Sequence, residues 1–274
     1  MFVGGCSNDI FPLFEIAALK SLYMKLQEIN PDPNWYSDPQ NIDLFPFPFV
    51  YSRLPVDRFD LTAPPESSFA YMGRKSFSEV WSMVNALKSK VWHTRLYIAG
   101  TMGYGKSHLL AVLVGLLSRS GKRTIYLPDC RELLVNDMRY MQSALLCAFA
   151  DPSSSDERNK IRALQSLDDV NYFCGEHAPV YFIIDQMNAL DCEGDNMNTA
   201  DNRRKAAAQG YLGRLTAGHY QITSRPANHR TAMHMIKDQT GDIKLALMGG
   251  MSEVSKCSSC SFVVSFPSSA RDAG

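Results

Sequence analysis

Residues 100 to 107 read Gly-Thr-Met-Gly-Tyr-Gly-Lys-Ser, and no other stretch of this 274-residue chain limits its fold so tightly. Three closely spaced glycines weaken both helix and strand, because an unsubstituted backbone loses the most entropy when it is ordered. The stretch is therefore expected to be a turn. Before it lies the apolar, β-rich run Leu96-Tyr97-Ile98-Ala99. After it, Lys106 to Ser118 carries leucine and valine at most positions and reads as a buried helix. Strand, glycine turn, helix is the expected local order.

The rest of the chain continues that alternation. Thr124 to Leu127 reads as a strand ending at Pro128-Asp129, and Arg131 to Ala150 as one long helix. The segment DPSSSDERNK reads as a polar turn, leading into a helix over Ile161 to Leu167. Val180 to Ile184 is a continuous apolar run, of the kind found in strands buried on both faces. Helix formers from Ala200 to Ala217 follow, then a strand over His219 to Thr223 that runs into Ser-Arg-Pro-Ala-Asn. Alternating strands and helices imply right-handed crossovers and a parallel sheet. A complete five-stranded core needs one strand more, and only Ile243 to Leu247 and Phe262 to Phe266 are candidates. If neither pairs, the sheet keeps an open edge.

Ahead of this unit, residues 13 to 29 place apolar side chains at helical spacing, and Ser76 to Ser89 is a second helix. Between them, residues 30 to 68 hold most of the prolines and read as an extended connector whose aromatics pack onto something. The expected organisation is a helix with a proline- and aromatic-rich extension over 1–68, a core over 69–235, and a divergent, disordered tail over 236–274.

The glycine turn also carries chemistry. It matches G-x-x-x-x-G-K-[ST] throughout, in the strand-to-helix context that gives the pattern its meaning. A triphosphate presents several negative oxygens that must be desolvated and held. The backbone N–H groups of Gly100, Thr101, Met102, Gly103, Tyr104 and Gly105 can curl into an anion nest, and the helix starting at Lys106 adds its positive end. Lys106 is expected to reach the β- and γ-phosphate oxygens, and the Ser107 hydroxyl to ligate Mg²⁺. His108 closes the stretch counted as nucleotide-contacting; with His93 and His229 it reads otherwise as structural. The fold class that follows is α/β: a P-loop NTPase with a parallel sheet flanked by helices in three αβα layers, and a loop-rich N-terminal extension.

Such a site needs a carboxylate at the end of a nearby strand to position Mg²⁺. Asp185, directly after Tyr-Phe-Ile-Ile, is the candidate. The next residue is Gln186, which can orient a water by hydrogen bonding but cannot take its proton. Thr223, Ser224 and Asn228 are candidates for contact with the γ-phosphate, and Arg225 and Arg230 for charge stabilisation. ATP is favoured over GTP because no N/T-K-x-D sequence is present. The expected function is ATP binding with slow, Mg²⁺-dependent hydrolysis, serving a partner as switch or motor. The alternatives are a non-hydrolysing nucleotide-dependent interaction module and a degenerate, truncated effector-type protein.

Composition narrows the partners. With 28 basic and 28 acidic residues the formal charge is zero, so no global field attracts nucleic acid or anionic lipid. Seven cysteines, an odd and irregularly spaced set, argue against a disulfide framework and for a reducing compartment. Cys257-Ser-Ser-Cys260 lacks the second ligand pair that zinc needs and reads as incidental. Met138 and Met141 read as core packing. Asn8 and Asp9 interrupt the N-terminal apolar residues, so no secretory signal is expected, and Leu109 to Leu117 is too short to span a bilayer. The expectation is a soluble, intracellular protein that binds nucleotide, homo-oligomerises or serves a protein or nucleic-acid partner, and has no membrane segment.

The combination IAGTMGYGKSHLL, IYLPDCRELL and YFIIDQMNAL resembles the P-loop ATPase module of the Crinkler effectors and the related retrotransposon hot spot proteins. The likeness runs over roughly residues 45 to 253 and includes GDIKLALMGGMSE. It implies an AAA- or STAND-like ATPase with Lys106 and Ser107 at phosphate and Mg²⁺, Asp185 as the metal carboxylate and Gln186 facing water. It also implies an effector's address in a host cell or nucleus. The family's ubiquitin-like header is not recognisable in residues 1 to 40, no nuclease carboxylate cluster follows residue 235, and the likeness stops after Glu253. The expectation is a C-terminally truncated or divergent member without the toxin activity of its relatives.

Overall fold

The computed structural model describes residues 13–51, 54–55, 58–61, 67–87, 95–100, 103, 105–177, 179–192, 198–226, 243–248 and 263–264. Two sheets organise them. β1 (Ile42–Pro46) and β2 (Ser68–Met72) form an antiparallel ribbon. The main sheet is built from β3 (Arg95–Gly100), β4 (Thr124–Leu127), β5 (Tyr181–Ile184), β6 (Tyr220–Pro226), β7 (Ile243–Met248) and β8 (Val263–Val264). Its spatial order is β4-β5-β6-β3-β7-β8, and every neighbouring pair is parallel. The helices are α1 (Leu13–Glu28), α2 (Ser76–Ala86), α3 (Lys106–Arg119), α4 (Asp137–Ala148), α5 (Ser155–Ala163), α6 (Leu167–Glu176) and α7 (Ala200–Leu215). They flank the sheet in a manner compatible with a three-layer αβα arrangement.

Both candidates for the one further strand pair with the sheet, so the tail expected to be disordered contributes strands to it. β7 lies directly beside β3, and β8 adds two residues beyond it, so the glycine-turn strand sits inside the sheet rather than at its edge. β6 separates β3 from β5. The carboxyl ends of β3, β6 and β5 therefore stand side by side, and Gly100 and Asp185 belong to strands two spacings, or about 10 Å, apart.

The helix after the turn is apolar on all sides because it is covered on all sides. Leu109 through Leu117 are buried without a break. Each fully buried leucine or valine contributes about 2 kcal/mol of transfer free energy. α1 crosses α3, and Gly115 marks a close approach, since a Cβ there would meet the Phe45 ring and stand 3.2 Å from Ile29 Cδ1.

The proline-rich connector behaves as its aromatics demand. Phe45, Phe47, Phe49 and Phe59 are almost fully buried and share one cluster with sheet residues. The Phe47 ring lies 6.2 Å from that of Tyr126, and Phe49 lies 5.5 Å from Tyr140. The ribbon that joins it to the residues after 68 was not expected. A two-stranded ribbon consists of edges alone, and an edge tolerates Pro46 where a central strand would not.

Three helical segments differ from the expectation. Residues 131 to 150 are not one helix. A 3₁₀ turn over Cys130–Leu134 ends first, and α4 starts afresh at Asp137, with the Asn136 side chain accepting from the Arg139 amide. The segment read as a polar turn instead contains most of α5. Asp156 and Glu157 sit in its first turn and Lys160 and Arg162 in its last, so its charges complement the helix dipole. Ser166 and Asp169 then form a reciprocal capping box that opens α6 and divides the helix expected over 161 to 167.

Candidate functional site

The glycine turn ends in the left-handed backbone region. Gly103 has φ of 82° and Gly105, at the cap of α3, has φ of 69°. A side chain at either position would be strained. At Gly105 a Cβ would also collide with the Arg74 guanidinium, which lies against the turn and brings positive charge to it. Thr101, Met102 and Tyr104 lie outside the described residues.

Lys106 opens α3 and folds back over the turn, where its Nζ donates to the Gly100 carbonyl at 2.8 Å. Burial lowers the Lys106 pKa, and the Asp185 carboxylate partly offsets that effect. The two residues thus interact electrostatically although 79 positions apart in the chain. Ser107 is half-buried on the first turn of α3.

His108 points into the aromatic cluster. Its ring centroid is 4.6 Å from that of Phe59 and 5.2 Å from that of Phe69. Burial, reinforced by Arg74, pushes its pKa down from 6.5 to about 4. The fold therefore prefers the neutral ring. The associated stability is complete above pH 6.5 and is lost as the pH falls from there through 4. Discounted for partial solvent access, the loss is about 2 kcal/mol. Urea unfolding between pH 7 and 4 is expected to show a shallower acid limb for His108→Phe than for the wild type. Parallel limbs would contradict this assignment.

Asp185 is 1% exposed, at the end of β5. Its Oδ1 accepts from the Ser224 hydroxyl and, at 2.9 Å, from the Gln186 amide. Its Oδ2 accepts from Arg58 Nη1 at 3.0 Å. The other terminal nitrogen of Arg58 is 3.1 Å from Oδ2 of Asp129, a buried residue two positions after β4. Arg131 forks onto the same Asp129, with Nε at 2.9 Å from Oδ1 and Nη2 at 2.6 Å from Oδ2. Two buried carboxylates are thus bridged by one guanidinium and capped by a second. Such a network is stable only while its charges balance.

Gln186 is the one non-glycine residue with positive φ, 58°, among those described. Holding a glutamine there costs on the order of 1–3 kcal/mol, a strain that recurs at functional sites. The conformation directs its amide onto Asp185 and starts the short turn over Met187–Leu190.

The structure thus brings Lys106 and Asp185 together at the carboxyl end of the sheet, with Gln186 and Ser224 beside them. Thr223 is buried within β6. Arg225 belongs to β6 by its backbone, and nothing is described of its side chain; Asn228, Arg230, His93, His229, Cys257 and Cys260 lie outside the described residues. Met141 is buried and Met138 packs against the core. Arg58, Asp129 and Tyr126 were not anticipated. For Asp129 a weaker signal was present, an acidic residue one position beyond the proline that ends an apolar strand, where Asp185 follows its strand directly. Among the described residues no helix is long and apolar enough to cross a membrane, and no cluster of three or more His, Cys, Asp or Glu could hold a metal.

No protein-family model and no curated protein matches this sequence. Among solved structures the chain is similar to one from the HORMA:CdnC:Trip13 complex of E. coli MS115-1, at 14% identity and a TM-score of 0.30 over 56% of this chain and 47% of that one. It is also similar to the cytoplasmic domain of the Thermomonospora curvata Type VII secretion ATPase EccC, at 15% identity and a TM-score of 0.29 over 58% and 19%. The chain thus spans about half of the first and a fifth of the second.

Proposed function

We propose that this protein is a P-loop nucleotide-binding module that takes ATP with Mg²⁺ and hydrolyses it slowly, as a switch or motor for a partner. The observation that carries the reading is the meeting of three features at one sheet end: a glycine turn in the left-handed region, Lys106 folded over it, and the buried Asp185. In open α/β sheets, ligands bind outside the carboxyl ends of the strands, where the order of connection reverses. Here that place lies beside β3, from which the chain leaves for the far strand β4 and then steps back through β5 and β6.

The residues fit the group. Among the described residues nothing lies within 4 Å of the Cβ that Gly103 lacks, which leaves room for an anion at the turn. Lys106 supplies a cation already stripped of part of its hydration, which strengthens any bond it makes to a phosphate oxygen. The Ser107 hydroxyl and the Asp185 carboxylate are hard oxygen donors suited to Mg²⁺. When bound, that ion neutralises charge on the β- and γ-oxygens. Ser224 and the Gln186 amide fix the Asp185 carboxylate in orientation, and Gln186 stands next to it as the residue to orient a water. The sequence likeness to the Crinkler and retrotransposon hot spot modules supports the same roles, and we propose membership of that family on the likeness alone.

A second reading is favoured by Gln186 itself, a non-basic residue beside the metal carboxylate. In that reading the protein binds ATP and exchanges it slowly without turnover. Steady-state phosphate release at saturating Mg·ATP, with wild type and Gln186→Glu side by side, decides between them. The hydrolysis reading expects slow but measurable wild-type turnover that Gln186→Glu changes at least severalfold. ATP binding with no wild-type turnover selects the switch, and no binding of ATP or GTP removes both readings.

A further inference from the structure

We propose that Arg58, from the proline-rich connector, competes with a divalent cation for Asp185 and so acts as a latch on the site. The inference rests on the nucleotide reading above and adds a residue and a control step to it. The Asp185 carboxylate has two oxygens. Oδ1 accepts from two donors at the strand ends, the Ser224 hydroxyl and the Gln186 backbone N–H. Oδ2 is held by Arg58 Nη1 at 3.0 Å. A metal held by Oδ2 stands about 2 Å from it, close to the guanidinium bonded to the same oxygen, and the two cations repel each other. Arg58 and a metal on Asp185 therefore each weaken the hold of the other.

The surroundings allow that exchange. Arg58 keeps a second anchor in Asp129, 3.1 Å from Nη2. The Tyr126 hydroxyl, which interacts electrostatically with the same groups, is buried and without a hydrogen-bond partner among the described residues. Burial above all disfavours its ionisation, Asp185 and Asp129 add to that effect, and Arg58 opposes it. The movement also has a route outward. Phe59 adjoins Arg58 and packs on the His108 ring, one residue beyond Ser107, while Phe47 ties the same cluster to the ribbon. Loading of the site is thereby felt by the connector.

The test is a Mg²⁺ titration of fluorescent ATP-analogue binding by wild type, Arg58→Gln and Arg58→Lys, paired with thermal melts in Mg²⁺ alone. Loss of the competing guanidinium is expected to lower the Mg²⁺ midpoint about tenfold in Arg58→Gln and less in Arg58→Lys. Mg²⁺ without nucleotide is expected to raise the melting temperature of either variant more than that of the wild type. Either variant suffices if the other fails to fold. Midpoints and Mg²⁺-induced melting shifts equal to wild type would overturn the inference. If the wild type binds no nucleotide, the functional reading fails by itself, and the melts in Mg²⁺ alone still decide the role of Arg58.

Discussion

Lys106→Ala is expected to weaken ATP binding by at least about 10²-fold while leaving the fold intact. The ammonium is half-buried, its pKa is lowered by burial, and Asp185 offsets only part of that cost. A cation held in such a setting interacts with a phosphate far more strongly than an exposed lysine does, because little water competes. Losing one charge-assisted hydrogen bond costs about 1.5–3 kcal/mol, and Lys106 is placed to make more than one. The structural cost is smaller. Within the fold, its Nζ bond to the Gly100 carbonyl contributes about 1 kcal/mol. Calorimetric titration with Mg·ATP should therefore show binding lost, and thermal melts should show a shift of a few degrees only. Lys106→Arg is not expected to restore binding, since a planar fork cannot replace a compact ammonium in a tight turn. Tight Mg·ATP binding by Lys106→Ala would refute the assignment of the turn.

Much of this site was legible in the sequence because its parts are punctuated locally. Glycines before Lys106, an apolar run before Asp185 and another before the turn each leave a signal within a few residues. The strand at Ile243 was legible as a short β-branched and leucine-rich run, and it pairs with β3. Arg58 left no such signal. It is 127 residues from Asp185 in sequence, and only the fold makes them partners. The ribbon was hidden by its prolines, which argue against a central strand but not against an edge. The break at Asn136 was hidden by the good helix formers on both sides of it. There the competing principle was local capping, since Asp129 and Asn136 each offer an oxygen to a backbone amide two or three residues on.

Asp185→Asn is expected to be the most damaging conservative change in the chain. The substitution preserves shape and leaves the amide oxygen to accept from Ser224 and Gln186. The new NH₂ group, however, faces Arg58 Nη1 at the distance now spanned by a hydrogen bond, donor against donor. Removing one partner of a buried ion pair costs about 3–5 kcal/mol, because the remaining charge stays desolvated. Asp129 lessens that cost by holding the other end of the guanidinium, so about 2–4 kcal/mol of destabilisation is expected. In the ATPase reading, turnover should fall at least about 10²-fold, since the metal loses its buried carboxylate at the end of β5. The stability effect can be separated from the chemical one by a double-mutant cycle with Arg58→Gln. With the guanidinium gone, the amide introduced at position 185 meets another amide instead of a cation, and much of the single-variant loss should return. Urea unfolding is therefore expected to be strongly non-additive across the cycle, by about 1 kcal/mol or more. Turnover should stay low in the double variant, because no pairing of amides supplies a metal ligand. Additive unfolding energies would mean that Arg58 and Asp185 do not form a working pair, and recovered turnover would mean that Asp185 is not the metal carboxylate.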